Sequence, residues 1–500
     1  MQKLKLLTIF IFILFIAGCR SDTDIDYPPV EAARIGVMTG STGEMYANAN
    51  YTGANIYSYD TIPDAVIALQ AGRNDFVITD FSNALGFIRH NDDLEVVPGI
   101  LKSGGAAIAI AKENIEILEN ISKVLAQFTE DCTLADIKSR WIKEDGSEYE
   151  RRDIPVNPDG EILMVGVSAN REPMCFVEGR KIIGLDPELI ERIAFELGKR
   201  VEYMDMNFSA LIPALSSGRV DVIISNITPT DERRQVVNFT EIYFDNPMIL
   251  LKRKEGVPSA ETLSFIEGLK VSIERNLLTE GRWKMILEGL GVSLIVTFFS
   301  FILATIAGFL VCGLRMSKNK ILSAIGSIYI TVLRGTPIIV LLMITFYIIF
   351  AGTNVSSITV AIIAFGANGA AFIGEIIRSA ISTVDKGQIE AARSMGFGKV
   401  GTFFTIILPQ AVRVAFPVYK SEFVSLFKMT SVVGYIAIVD LTKAGDIIRS
   451  RTYDAFFPLI MVALIYLVVA SLIILLFDYI NCMTDKRYRL AKRIKGREAV

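Results

Sequence analysis

Five apolar stretches, at about residues 289–314, 328–350, 358–377, 414–439 and 455–479, are each long enough to cross a bilayer. In lipid every backbone polar group must be satisfied internally, so this part of the chain is expected to be all-helical. Five crossings place the two ends of the region on opposite sides. The basic residues agree: Arg315, Lys318 and Lys320, the linker 378–413 and the tail 486–497 all fall on one side, as the positive-inside bias requires. The loop 440–454 falls on the other side with Lys443, Arg449 and Arg451, which Asp440, Asp446 and Asp454 offset. Residues 289–500 hold 21 basic and 10 acidic side chains, net +11, which leaves residues 1–288 at −14. A nucleic-acid partner would want positive charge on a soluble face, so none is expected. One histidine and five scattered cysteines (Cys19, Cys132, Cys175, Cys312, Cys482) build neither a metal site nor a disulfide framework, and no metal or cofactor is expected.

The first nineteen residues carry Lys3 and Lys5, an apolar run at 6–15, and then Ile16-Ala-Gly-Cys19. That is the pattern of an export signal, and its last four residues resemble the bacterial lipobox, which implies lipidation at Cys19. The residues beyond Cys19 are then expected outside the membrane.

Between residues 34 and 253 short β-branched runs alternate with amphipathic helices, the sign of α/β units. Strands are expected at 34–38, 75–79, 163–167 and 220–225, and helices at 63–71, 187–197 and 209–217. Two segments rhyme: AVIALQAGRNDFVITD at 65–80 and LIPALSSGRVDVIISN at 211–226. Each reads as a helix, a Gly-Arg turn and a buried strand that delivers a polar residue at its carboxyl end. Ligands of open α/β sheets bind beyond such ends, so two similar lobes are expected to share one cleft.

The segment 184–244, from GLDPELIERIAFELGKR to NFTEIYF, resembles the first lobe of the periplasmic binding proteins for polar amino acids. RIGVMTGSTGE at 34–44 with AGRNDFVITD at 71–80 resembles their second lobe. The resemblance implies that Arg233, in Thr230-Asp-Glu-Arg233, holds a ligand α-carboxylate in its guanidinium fork, with Asn226 and Thr228 as neighbouring donors. It implies Ser41 and Thr42 as carboxylate donors from the other lobe, and Asp80 as the partner of the α-ammonium. The lobe order is reversed relative to that family. A second-lobe-like part at 33–150, with a return-like helix ending at Trp141, precedes a first-lobe-like part at 151–255, so the domain reads as a circular permutation or the remnant of a tandem duplication. Where the family often stacks an aromatic ring on the ligand, this chain has Arg171-Glu172-Pro173-Met174; an arginine there either selects an acidic ligand or faces solvent.

Residues 256–288 are expected to run along the membrane surface, with Phe265, Leu269, Ile273, Leu277 and Trp283 as an apolar stripe, before a membrane domain at 289–482 and a basic tail at 483–500. Between the third and fourth apolar stretches stand Glu390-Ala391-Ala392, Gly396 and Ile406-Ile-Leu-Pro409. This spacing resembles the EAA motif of ABC importer membrane subunits, a short helix that docks on the ATPase. Small side chains at Ala391 and Ala392 permit close approach, and Gly396 permits the turn. No Gly-x4-Gly-Lys-Ser/Thr phosphate loop, Gly-x-Ser-x-Gly or Cys-His pair occurs, so the chain is expected to be no enzyme and to rely on a separate ABC ATPase subunit. Among intramembrane polar residues, Glu422, Lys428 and Thr430 are candidates for the translocation path, beside Glu375 at the end of the third stretch. Five spans are few for such a path, which implies a dimer with itself or with a similar permease. The alternative is an amino-acid-gated ion channel, since Thr430-Ser-Val-Val-Gly-Tyr435 echoes a potassium-filter sequence; Ile436 in place of the filter's last glycine counts against it. The expected whole is a two-lobed α/β domain with permuted lobes outside, followed by five transmembrane helices, contacting a polar amino acid, membrane lipid and the ATPase.

Overall fold

The computed structural model describes residues 29–484 except 146, 255–264, 354, 453 and 455; the expected signal 1–19 with Cys19, and the tail beyond 484, lie outside the described residues. Strands β1 (Arg34–Met38), β2 (Asn55–Tyr59), β3 (Phe76–Asp80) and β4 (Leu94–Val96) enter one sheet; β5 (Gly105–Ala111) and β6 (Glu161–Val167) enter another. Next, β7 (Asn170–Arg171), β8 (Cys175–Glu178) and β9 (Lys181–Ile183) make a small antiparallel sheet. The chain returns to the second sheet with β10 (Lys199–Asp205), β11 (Val222–Ile227), β12 (Val237–Phe239) and β13 (Phe244–Asp245), and ends in the first with β14 (Met248–Arg253). The orders are β2-β1-β3-β14-β4 and β10-β6-β11-β5-β12. Most pairings of the rhyming units are parallel, whereas β5 and β14, the two strands laid down after the chain changes lobe, are antiparallel to their neighbours.

These crossings correct the expected division at 150/151. The lobe built on the second sheet is continuous from 105 to 245, and the other is split into 34–101 and 248–253. The polar stretch after Trp141 therefore joins two halves of one lobe. Helices α1 (Thr42–Asn50), α2 (Ile62–Gln70) and α3 (Phe81–His90) cover the split lobe; α4 (Ile115–Glu130), α5 (Thr133–Trp141), α6 (Leu185–Glu196), α7 (Leu211–Ser216) and α8 (Asp231–Val236) cover the continuous one. Trp141 seals α5 onto α6: its indole Nε1 donates to Glu188 Oε2 at 2.7 Å, and Arg140 Nη2 donates to Glu188 Oε1 at 2.5 Å, all of it buried. Removing one partner of such a buried pair costs about 3–5 kcal/mol, so this contact fixes the return helix on the lobe it serves. Cys132, Cys175 and Cys312 are free thiols.

Among the described residues the membrane part has four helices long and apolar enough to cross, or five when a bent pair is counted as one span. They are α9 (Trp283–Arg315), the pair α10 (Lys320–Gly335) and α11 (Ile338–Ile344) with its π-turn to Ile349, α12 (Ser357–Ser382), a helix entering at Lys399 and continuing as α14 (Leu408–Met429), and α16 (Phe457–Thr484); α13 (Lys386–Ser394) and α15 (Leu441–Thr452) lie between. The pair bends by 108° because Pro337 forces Thr336 into the extended region, φ −95° and ψ 129°, and so breaks the helix. It nevertheless crosses. Arg219 of the exported domain donates to the carbonyls of Phe346, Thr353 and Val355, so the far end of the pair has returned to that domain's side. Tyr435, after the fourth crossing, likewise reaches Asp60, which leaves α13 on the opposite face.

Small residues let α9 and α12 pack backbone to backbone, as lipid-embedded helices require in the absence of a hydrophobic drive. A Cβ on Gly308 would lie 2.9 Å from Ile373 Cγ2 and 3.1 Å from Gly374 N, and one on Gly366 would lie 2.6 Å from the Leu303 side chain. Gly308→Val is expected to lower stability by about 1–3 kcal/mol. Thermal melting of the detergent-solubilised chain reads this, and an unchanged midpoint would show that the helices do not meet there.

Candidate functional site

Each lobe delivers polar side chains to one cleft from strand ends and helix starts. In the split lobe Ser41 caps α1, its Oγ accepting from Glu44 N at 3.1 Å; Thr42 follows, and Asp80 stands at the carboxyl end of β3. In the continuous lobe Asn226, the penultimate residue of β11, has a left-handed φ of 46°, a conformation that asparagine tolerates better than most residues. Its backbone N–H donates to Asp186 Oδ2 at 2.8 Å, while its Nδ2 donates across the cleft to Asp80 Oδ2 at 3.0 Å. Arg233 sits in the first turn of α8, capped by Thr230, and donates to Thr228 O and, across the cleft, to Gly40 O, both at 2.8 Å. The structure thus brings Arg233, Thr228, Asn226 and Asp80 together, with Ser41 and Thr42 beside Asp80 around a cavity of about 20 Å³. That is water-sized. In this form the polar groups of the two lobes satisfy one another across the cleft, at Arg233–Gly40 and Asn226–Asp80.

Three residues that sequence reasoning did not single out complete the cleft. Phe208, beside the start of α7, lies under two guanidinia: the central carbon of Arg171 is 4.9 Å from the ring centre and that of Arg233 is 5.4 Å. Asp186 and Tyr243 form a buried pair at 2.6 Å behind Asn226. Arg171 does not face solvent. It is 2% exposed, its Nη2 donates to Ser225 O and Oγ at 2.5 Å, and its Nε is buried without a partner. The signal in the sequence was positional: Phe208 directly precedes one of the rhyming helices, while Asp186 and Tyr243 lie within the segment that resembles the binding-protein lobe. Burial pushes the Asp80 carboxyl up to about 6, against the charges of Arg171 and Arg233 and the Asn226 bond. Burial brings Arg233 down to about 10, opposed by Asp80.

Glu172, next to Arg171, faces away from the cleft and joins three parts of the chain. Its carboxylate meets Arg451 of α15, lies 3.1 Å from His90 Nε2 of the split lobe and accepts from Tyr149 OH at 2.9 Å. Burial opposes its ionisation, but the His90 bond and the Arg451 charge prevail and hold it at about 2. A Cβ on Gly86 would clash with the Glu172 carbonyl, so glycine there permits α3 to lie against it.

A chamber of about 120 Å³ lies between both lobes and the membrane part, bounded by Asp60 and Asp64 from one lobe, Asn207 from the other, and Tyr435, Lys443 and Arg449 from below. Lys443 pairs with Asp205 at 3.4 Å and Arg449 with Asp64 at 2.9 Å. The outer-loop cations expected to be offset locally therefore serve chiefly the exported domain. Further into the membrane, Glu422 is half-buried and Lys428 exposed, whereas Thr430 is enclosed with its hydroxyl donated to Phe427 O at 2.7 Å. Thr430–Ile436 is a 3-10 helix, not an extended filter. On the opposite face α13 exposes Glu390 and Ala391, buries Ala392 and ends at Gly396, φ +88°.

A cleft between two α/β lobes, seated over crossing helices, defines a solute-binding module joined to a membrane permease. The description "Bacterial extracellular solute-binding proteins, family 3" matches residues 163–420. The probable amino-acid ABC transporter permease protein YckA of Bacillus subtilis is 38% identical over 188 residues, covering 37% of this chain and 83% of that one. The L-cystine transport system permease protein TcyB of the same organism is 34% identical over 221 residues, covering 44% and 94%. A crystal structure of an amino acid ABC transporter with histidines shares 32% identity over 44% of this chain and 98% of that one, with a TM-score of 0.39. The chain belongs to the family 3 extracellular solute-binding proteins, fused to an amino-acid ABC transporter permease. It is a multi-pass transporter subunit of an amino-acid importer.

An ammonium partner must be ionised, so the role expected for Asp80 makes its protonation compete with ligand. Amino-acid affinity is expected to fall as pH drops through about 6, approaching tenfold per unit below it. Titration calorimetry on the full chain at several pH values checks this, with Asp80→Asn separating Asp80 from Asp186; a flat profile would remove Asp80 from the role.

Proposed function

We propose that the exported domain captures a polar amino acid between Arg233, which takes the α-carboxylate with help from Ser41, Thr42, Asn226 and Thr228, and Asp80, which takes the ammonium. The observation that carries this reading is the convergence of those groups from two lobes on one closed cleft above the charged chamber. Arg171, buried and with a free Nε, supports a ligand whose side chain is anionic. On opening, the ligand passes into the chamber and then along a path that Glu422 and Lys428 border; the enclosed Thr430 contributes by packing. A separate ABC ATPase docks on the face opposite the binding domain, at Glu390, Ala391, Ala392 and Gly396, where Met395 (78% exposed) and Val400 (69%) offer apolar surface to a groove. The membrane domain works as a dimer with itself or with a similar permease, in the bacterial cytoplasmic membrane, and Cys19 carries the lipid.

Two measurements test this. Calorimetry of the full chain should detect an acidic amino acid; Arg233→Ala should abolish binding, and Arg171→Ala should weaken glutamate or aspartate more than their amides. Unchanged titrations would refute the site. Reconstituted with its ATPase in liposomes, the chain should show amino-acid-stimulated ATP hydrolysis, and Glu390→Lys should uncouple the two; ligand-evoked ion current without nucleotide would instead mark a channel.

A further inference from the structure

Helix α3 starts without using the side chain that its sequence supplies for the purpose. An aspartate directly before a helix ordinarily accepts from N–H groups of the first turn. Here those of Phe81 and Ser82 are met from the crossover into β14: Phe81 N donates to Pro247 O at 2.9 Å and Ser82 N to Asn246 Oδ1 at 3.0 Å. Asp80 makes no side-chain cap among the described residues, and its Oδ2 accepts instead from Asn226 Nδ2 at 3.0 Å. Asn246 holds this arrangement from behind, its Nδ2 donating to Ser82 Oγ at 2.7 Å and to Asn226 Oδ1 at 3.0 Å. Asp80 is thereby left to the cleft.

Asn83 stands one turn further on, and residues three apart share a helix face. It is 2% exposed. Its Nδ2 lies 3.5 Å from Thr79 Oγ1, at the limit of a hydrogen bond, and its Oδ1 has no partner among the described residues. A buried carbonyl in that position is costly, and native structures keep few of them. Nor is Asn83 enclosed in packed core: with Asp80, Ser41 and Thr42 it lines the water-sized cavity of the cleft. All the residues around that cavity belong to the split lobe, so one lobe alone builds it.

An α-ammonium carries three N–H donors and, out of water, needs an acceptor for each. One oxygen of Asp80 is already shared with Asn226, so Asp80 by itself does not supply them. We propose that Asn83 is a ligand-binding residue of this cleft, its Oδ1 accepting an N–H of the same α-ammonium that Asp80 pairs with. This rests on the reading of the cleft as an amino-acid site with Asp80 toward the ammonium. The substrate class narrows accordingly to primary amines, because an N-methylated amino acid has one donor fewer and sets a methyl group against a cavity of about 20 Å³.

The test is calorimetric titration of the full chain with L-glutamate. Asn83→Ala should weaken binding about tenfold, the scale of one hydrogen bond to a charged group. In the Asp80→Asn chain, adding Asn83→Asp should recover about tenfold in affinity, because a carboxylate one turn on reaches the same ammonium. A side chain that only packs, or only holds a water, gives no such recovery. The aspartate keeps the shape of the asparagine, so this second measurement stands even where the alanine variant does not fold. Unchanged affinity in Asn83→Ala, with or without a lower melting temperature, or no recovery in the double variant, would overturn the assignment while the cleft remained an amino-acid site. Absence of glutamate binding by the unsubstituted chain would instead strike at the reading of the cleft, and Asn83 would fall with it.

Discussion

A guanidinium withdrawn from water is costly unless its donors are met, and the membrane part meets the Nε and Nη1 of Arg219 though not its Nη2; this socket is the contact on which the arrangement of this chain depends. The carbonyls of Phe346, Thr353 and Val355 lie where a broken helix ends and a loop begins, so they have no helical partners to lose. By filling that gap, Arg219 fixes one lobe on the membrane domain. The split lobe meets the membrane part as well, through Asp64 with Arg449 and Asp60 with Tyr435, so both lobes border the chamber. A binding protein that diffuses freely must find this geometry at each encounter; a tethered one meets it at high effective concentration.

Charge organises the same surface. The exported part is strongly acidic and the membrane part basic, and the three cations of the outer loop 440–454, Lys443, Arg449 and Arg451, meet Asp205, Asp64 and Glu172. Along the chain they look like exceptions to the positive-inside bias, balanced by aspartates a few residues away. In space Asp440 is taken by the backbone N–H groups of Thr442 and Lys443, and Asp454 by Asn276 and Arg275. That leaves the cations for the domain above. Arg449 alone keeps a local partner, Asp446 at 3.1 Å, beside Asp64 at 2.9 Å.

Local order was legible in the sequence. Strand β1 falls on the expected residues, and the other expected strands and helices lie within two residues of the observed bounds, because β-branched runs and Gly-Arg turns decide local conformation wherever they occur. Which sheet a strand joins is a non-local matter. Strand β5 is apolar at every position and fits the middle of either sheet; only the crossing of the chain puts it between β11 and β12, which is why the lobe boundary was misplaced. The charged cleft residues were legible through the matched segment. Phe208 was not, since an aromatic residue ahead of an apolar helix reads as core until two arginines are found over its ring. The break at Pro337 was written in Arg-Gly-Thr-Pro, but its 108° bend needed the packing around it.

The adjacency of Arg171 and Glu172 links cleft to membrane by a single peptide. Arg171 closes strand β7 and Glu172 opens the turn that follows, so one reaches Ser225 and Phe208 inside the cleft while the other reaches Arg451 and His90 outside it. Glu172 is therefore where both lobes and the membrane part meet: His90 and Gly86 belong to the split lobe, Arg451 belongs to α15, and the adjoining Arg171 belongs to the cleft. The fusion of the two domains in one chain gives that contact a fixed register that separate proteins would have to rebuild at each encounter.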